Sequence, residues 1–144
     1  MEIDKSKELL ANIKLINNKL HYHGTADKNP PVSIDYIPPL GDNLGYTSLE
    51  VFLLSLSSCI ASAVLTLLRK MKKEIKGFEI NSRGIRKQEH PTGFCKIYHE
   101  IIINSENLTE EEVQKILAIS EGICPVWSMI EGNVEVENNV KILK

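Results

Sequence analysis

Residues 47–72 read TSLEVFLLSLSSCIASAVLTLLRKMK, and no charge falls between Glu50 and Arg69. This stretch predicts one long helix. Thr47 and Glu50 have the T-x-x-E spacing in which hydroxyl and carboxylate each satisfy a backbone N–H of the first turn. Glu50 complements the positive end of the helix dipole, and Arg69, Lys70, Lys72 and Lys73 the negative end. No Gly or Pro interrupts the run. At about 1.5 Å per residue the element is about 35 Å long.

The helix has no charged face. Leu49, Leu53, Leu56, Ile60, Val64 and Leu67 form one apolar stripe, and Val51, Leu54, Ala61, Leu65 and Leu68 another. Between them runs a narrow stripe of small residues: Ser55, Ser58, Cys59, Ser62 and Thr66. Such a helix is either buried on all sides or inserted in a membrane. An uncharged run of about 18 residues meets the length of a membrane span, but the Ser and Thr residues dilute it. The remaining chain reads as one continuous globular domain, so a core helix is expected and no membrane. A chain of 144 residues can hardly wrap so long a helix, which predicts a homodimer whose copies enclose each other's helix.

Working outward, the length fits one domain, residues 1–144, with N-terminal strands in 1–38, the central helix in 47–72, and strands with two shorter helices in 77–144. A hydrophobic content of 42% and a charged content of 25% are those of a soluble protein. The net charge of −2 gives no reason to expect nucleic acid as a partner. The start, MEIDKSKELL, is too charged for a secretory signal. Three cysteines at irregular spacing make no disulfide framework, and no Cys/His cluster has zinc-ligand spacing. A cytoplasmic protein with reduced thiols, no metal and no cofactor is therefore expected.

Residues 4–11 read as a helical turn or a frayed arm. Ile13 to His23 predicts two short strands around Asn17-Asn18, which tolerate the φ of a tight hairpin. Gly24 to Pro31 reads as a turn, and Val32, Ile34 and Tyr36 as a third strand. The loop Leu40-Gly41-Asp42-Asn43-Leu44-Gly45-Tyr46 leads into the helix, which Gly77 is placed to stop. Phe78 to Arg83 and Phe94 to Asn104 predict paired strands. Thr109 with Glu112 is a second capping box, opening a helix to about Glu121. Pro125 suits the first position of a short helix to about Glu131, which puts Cys124 at its N-cap. Val134, Val136, Val140 and Ile142 predict a last strand. The order is βββ-α-ββ-α-α-β, an α+β fold with an antiparallel sheet packed on the long helix.

Cys59 lies mid-helix among small residues, where a buried thiol is ordinary core. Cys124, at a helix N-cap, meets backbone N–H groups that favour a thiolate. Cys95 shares a strand face with Ile97, His99, Ile101 and Ile103 and reads as core. His21 and His23 point the same way from an edge strand, without a third metal ligand. His90 and His99 have no carboxylate partner in the sequence, which argues against a Cys–His hydrolase. Trp127 and Met129 read as apolar packing around the Cys124 thiol.

Gly45-Tyr46-Thr47-Ser48-Leu49-Glu50, followed by an apolar helix with Cys59 nine residues after Glu50, resembles the signature of the OsmC/Ohr family. Gly122-Ile123-Cys124-Pro125-Val126 after a capped helix is similar too, as is the Leu40-Gly41-Asp42-Asn43 loop. The resemblance covers roughly residues 32–142. It implies an intertwined homodimer with the long helices at its middle and active sites at the subunit interface. It also implies thiol peroxidase chemistry on an organic hydroperoxide. The peroxidatic Cys59 becomes a sulfenic acid, the resolving Cys124 condenses with it to a disulfide, and a dithiol reductant, in the family often a lipoyl protein, reopens the bond. Glu50 joins them as a site residue.

The chain departs from the best-understood peroxidases of the family. Those orient an N-terminal Arg with a Glu ten residues before the Cys. Here position 49 is Leu, Glu50 comes one residue later, and no Arg precedes Arg69. This pattern resembles the less characterised OsmC-like branch. His21, His23, Lys19 and Lys28, or Arg83 and Arg86 of a second subunit, are the candidate cations. The alternative to an enzyme is a dimeric binding module, holding a small lipophilic ligand against the helix, Trp127 and Met129.

Overall fold

The computed structural model describes residues 4–144, so residues 1–3 of the predicted 1–38 segment lie outside it. The elements are β1 (Asn12–Leu15), β2 (Tyr22–Thr25), β3 (Val32–Ile34), α1 (Ser48–Lys70), β4 (Gly77–Arg86), β5 (Phe94–Asn104), α2 (Glu110–Ile123), α3 (Pro125–Ile130) and β6 (Glu135–Leu143). The order is the one expected from the sequence. The chain divides into two compact units, the residues up to Val51 and Phe52–Lys144.

In the first unit β1, β2 and β3 form an antiparallel sheet in that order. The tight Asn17-Asn18 hairpin is not formed. Six residues join β1 to β2, and the Asn17 Oδ1 accepts from the N–H groups of Lys19 and His21. An Asx turn has replaced the left-handed pair that the two asparagines would have permitted. Gly24 belongs to β2, opposite Ile13 and Val32, and β2 is the central strand, so the His21/His23 pair does not lie at an edge.

The loop after β3 is built around Asp35, which is 2% exposed. Its carboxylate accepts from the backbone N–H groups of Tyr36 (2.7 Å), Asp42 (3.2 Å) and Leu44 (3.1 Å). A Cβ at Gly41 would strike the Asp35 carboxylate and the Tyr36 carbonyl, and one at Gly45 the Ser33 carbonyl. This explains the glycines of the Leu40–Tyr46 loop: the backbone passes too close for any side chain. At its end Thr47 and Glu50 close the capping box, with Thr47 N–H to Glu50 Oε1 at 2.8 Å and Glu50 N–H to Thr47 Oγ1 at 3.3 Å.

In the second unit the sheet order is β4-β5-β6, with β4 antiparallel and β6 parallel to β5. The sheet is therefore mixed, not the antiparallel one expected from the sequence. The α2–α3 connection is long enough to return the chain to the end where β5 began. Ile97, Ile101 and Ile103 of β5 are fully buried, and with them the α1 row Leu56, Ile60, Val64 and Leu68. The buried row of α1 thus joins residues from both predicted apolar stripes. Residues Ser57 of α1 and Ser82 of β4 share a hydrogen bond, and the rings of Phe52 and Phe94 lie 6.0 Å apart.

Two further details differ from expectation. The helix α1 ends at Lys70, well before Gly77, because Lys72 takes φ 57°. Lys73 N–H then reaches Leu68 O and Lys72 N–H reaches Arg69 O, a Schellman closure made with Lys in place of Gly. In β5 a bulge sets Lys96 opposite Ile85 and Phe94 opposite Arg86, leaving Cys95 as the extra residue. Phe94 turns inward and Cys95 outward, so Cys95 is exposed instead of core, its thiol donating to Ile85 O at 3.3 Å.

Candidate active site

Two elements of the second unit bring the predicted cysteines together. Residue Cys59 occupies the middle of α1 one position before the buried Ile60, which leaves it half-buried. Residue Cys124 sits where α2 meets α3. Its N–H closes the last turn of α2 on Ser120 O, and its Sγ accepts from Trp127 N–H at 3.4 Å as N-cap of α3. Pro125 supplies the first position of α3, where a missing N–H costs nothing. The Cys124 side chain is 1% exposed.

The two sulfurs are 2.8 Å apart, with the Cys124 thiol donating to the Cys59 sulfur. Both cysteines are free, and the separation exceeds the about 2.05 Å of a disulfide. Burial pushes the Cys124 thiol up, and the bond to Cys59 pushes it the same way; the Trp127 and Val126 N–H groups oppose this without prevailing. The expected acidity of Cys124 at its N-cap is thus overturned. A six-residue helix offers little dipole, and desolvation of the thiolate outweighs it. The donor is Cys124 and the acceptor Cys59.

The other singled-out residues have bonds of their own. The Glu50 carboxylate binds Thr47, whose backbone N–H and hydroxyl hold it below the usual carboxylate range. Lys19 pairs with Asp42, Arg86 bonds Thr92, and Arg83 stacks 4.4 Å over the Tyr98 ring. The hydroxyl of Ser33 donates to Leu44 O, so His21 Nε2, 2.7 Å from that oxygen, is the donor in their contact. Among the described residues no basic side chain bonds either sulfur in the single chain. Met129 is 76% exposed and does not pack around the thiol. A cavity of about 300 Å³ lies on the β4–β6 sheet, lined by Asn81, Arg83, Tyr98 and Asn139 among others, and includes neither cysteine of the pair. Among the described residues no group of three or more His, Cys, Asp or Glu is arranged for a metal ion.

The OsmC-like protein family model matches residues 41–139, which takes in Glu50, Cys59 and Cys124. The chain belongs to the OsmC family. Among solved structures, the OsmC-like protein of unknown function from Vibrio cholerae O1 aligns with a TM-score of 0.82 at 16% identity, over 93% of this chain and 99% of that one. An OsmC-like protein from Mycoplasma pneumoniae gives 0.80 at 18%, over 95% and 96%. The organic hydroperoxide resistance protein OhrB of Bacillus subtilis gives 0.65 at 19%, over 93% and 98%. These likenesses establish the α+β OsmC fold. No curated protein matches the chain.

Sequence reasoning on this OsmC-family chain missed a row of polar residues on the sheet of the second unit. Side chains of Ser82, His99 and Asn138 lie side by side across three strands on an otherwise apolar face. The signal was present in part: His99 has the parity of Ile97 and Ile101, and Asn138 that of Val136 and Val140.

Proposed function

We propose that this protein is a thiol-dependent peroxidase that reduces organic hydroperoxides in oxidative-stress defence. The observation that carries the reading is the 2.8 Å approach of the Cys59 and Cys124 sulfurs, from residues 65 apart in the chain. The Cys59 thiolate attacks the distal oxygen of the hydroperoxide. The O–O bond breaks, the alcohol leaves with a proton, and Cys59 becomes a sulfenic acid. The Cys124 sulfur then displaces water, forming the disulfide. A dithiol such as a lipoyl protein returns two electrons and two protons and frees both thiols.

The working unit in this proposal is a cytoplasmic homodimer. Helix α1 has the length and apolarity of a membrane span, with a mean hydropathy of 2.3, yet only 22% of that window is buried within one chain. The face made by Leu54, Ser55, Ser58, Ser62 and Thr66 is exposed. The hydroxyls of Ser58, Ser62 and Thr66 each donate to a carbonyl of their own helix, which removes their need for water. A second copy laid on this face covers these three hydroxyls without leaving them unpaired. The partner also offers the route by which a cation comes to Cys59.

A test follows the consumption of cumene hydroperoxide with dihydrolipoamide as reductant. Cys59→Ser is expected to abolish turnover. Cys124→Ser is expected to consume one equivalent and then stall on the sulfenic acid, which a dimedone-type probe captures. Cys95→Ser is expected to leave the rate unchanged. Full turnover by Cys59→Ser contradicts the proposal and favours the lipophilic-ligand module, for which the exposed Ile119, Ile123 and Met129 provide apolar surface.

A further inference from the structure

The second unit holds a polar row bonded to α1 and α2. Ser82, His99 and Asn138 are aligned in register across β4, β5 and β6, on the face that carries the buried isoleucines. Helices close the row at both ends. Ser57 of α1 meets Ser82, and Glu121 of α2 accepts from Asn138 Nδ2 at 3.2 Å. In the middle, His99 Nδ1 is 2.8 Å from Asn138 Oδ1.

The direction of every proton in this row follows from its ends. The Glu121 carboxylate accepts, so Asn138 turns its amide nitrogen toward Glu121 and its oxygen toward His99. His99 must then donate from Nδ1, leaving Nε2 as a bare acceptor. At the other end Ser57 donates to Leu53 O, so Ser82 spends its hydroxyl proton on Ser57 and has none for His99. This accounts for His99 Nε2 being the buried side-chain polar atom without a partner among the described residues.

Glu121 is in the last turn of α2, one turn before Cys124. A carboxylate there faces the negative end of the helix dipole, an unfavourable place unless another contact compensates. The last turn of α2 carries no basic residue to relieve it. The side-chain bond from Asn138 is the compensating contact, and it ties that turn to the middle of the sheet.

We propose that the Glu121–Asn138–His99 relay is a positioning device for the redox pair. It anchors the last turn of α2 to β5 and β6, and so holds the Cys124 sulfur against Cys59. His99 sets the position of Asn138, Asn138 that of Glu121, and Glu121 that of the turn that ends in Cys124. None of the three hydrogen-bonds a sulfur. The inference rests on Cys59 and Cys124 being the redox pair.

The experiment equilibrates the full-length protein with glutathione redox buffers and reads the Cys59–Cys124 disulfide by alkylation and mass spectrometry; no peroxide is involved. Glu121→Ala and Asn138→Asp, which sets two carboxylates face to face, are expected to lower the disulfide equilibrium constant about tenfold, about 30 mV for a two-electron couple. Glu121→Gln keeps an acceptor for Asn138 and is expected to stay at the wild-type value, separating a positioned hydrogen bond from charge. Thermal unfolding of the same variants reports stability apart from the potential. Should Asn138→Asp not fold, Glu121→Ala alone decides, since Glu121 is only half-buried. Wild-type potentials in Glu121→Ala overturn the relay, as does an equal loss in Glu121→Gln. A wild-type protein that forms no Cys59–Cys124 disulfide at all brings down the redox pair and the relay with it.

Discussion

At the scale of single residues, desolvation decides the roles of the titrating groups. Cys124 has an N-cap position that a sequence reading associates with acidity, and yet burial pushes its thiol up. The same force acts on His99, whose pKa is lowered by burial more than the Asn138 bond raises it. The unfolded chain therefore takes up this proton at a higher pH than the native one. The stabilising share of neutral His99 is complete above the unfolded value of about 6.5 and is lost as the pH falls from there through the depressed native value. Thermal unfolding should show the midpoint falling below about pH 6.5, with that portion of the fall missing in His99→Leu. Burial also works against the Asp35 carboxylate, but the N–H groups of Leu44, Tyr36 and Asp42 prevail and hold it below its usual value. Its stabilisation is present above the unfolded carboxylate value and fades only as the pH drops through the lower native one, so the two windows are separable.

At the scale of elements, α1 has two faces with different work. Ile60 is 1% exposed against the sheet, whereas Ser62 is exposed. Ile60→Ala is expected to cost about 2–5 kcal/mol in chemical denaturation, and Ser62→Ala less than about 0.5 kcal/mol at concentrations where the protein is monomeric. Replacing Lys72 by Gly, at φ 57°, is expected to add up to about 1 kcal/mol by removing left-handed strain. The order of elements was legible because each is announced locally: capping boxes at Thr47 and Thr109, Pro125 opening α3, period-two alternation in β5 and β6. What was not legible is non-local. Nothing near Cys95 announces that a bulge will turn it outward, because the bulge is a property of the β4–β5 register. Residues His99 and Asn138 look unrelated until β6 runs parallel beside β5. The approach of Cys59 to Cys124 was an implication of family resemblance, since the spacing of the two cysteines carries no geometric signal of its own.

At the scale of the whole molecule, the proposed function pairs two copies through α1. A charge on the exposed face of α1 tests this: Leu54→Lys or Ser62→Lys is expected to halve the molar mass seen by sedimentation, while the wild type runs at twice the chain mass. A wild type that sediments as a monomer contradicts the homodimer, and one that stays in solution only with detergent returns α1 to the membrane reading. The central claim concerns the intact protein meeting a peroxide. It is tested most directly by adding less than one equivalent of cumene hydroperoxide to the reduced protein and mapping the cross-linked peptides. The account predicts a single product, chains that have lost two hydrogens and carry a Cys59–Cys124 disulfide, in proportion to the peroxide added. Recovery of both cysteines as free thiols, or a bridge through Cys95, would contradict it.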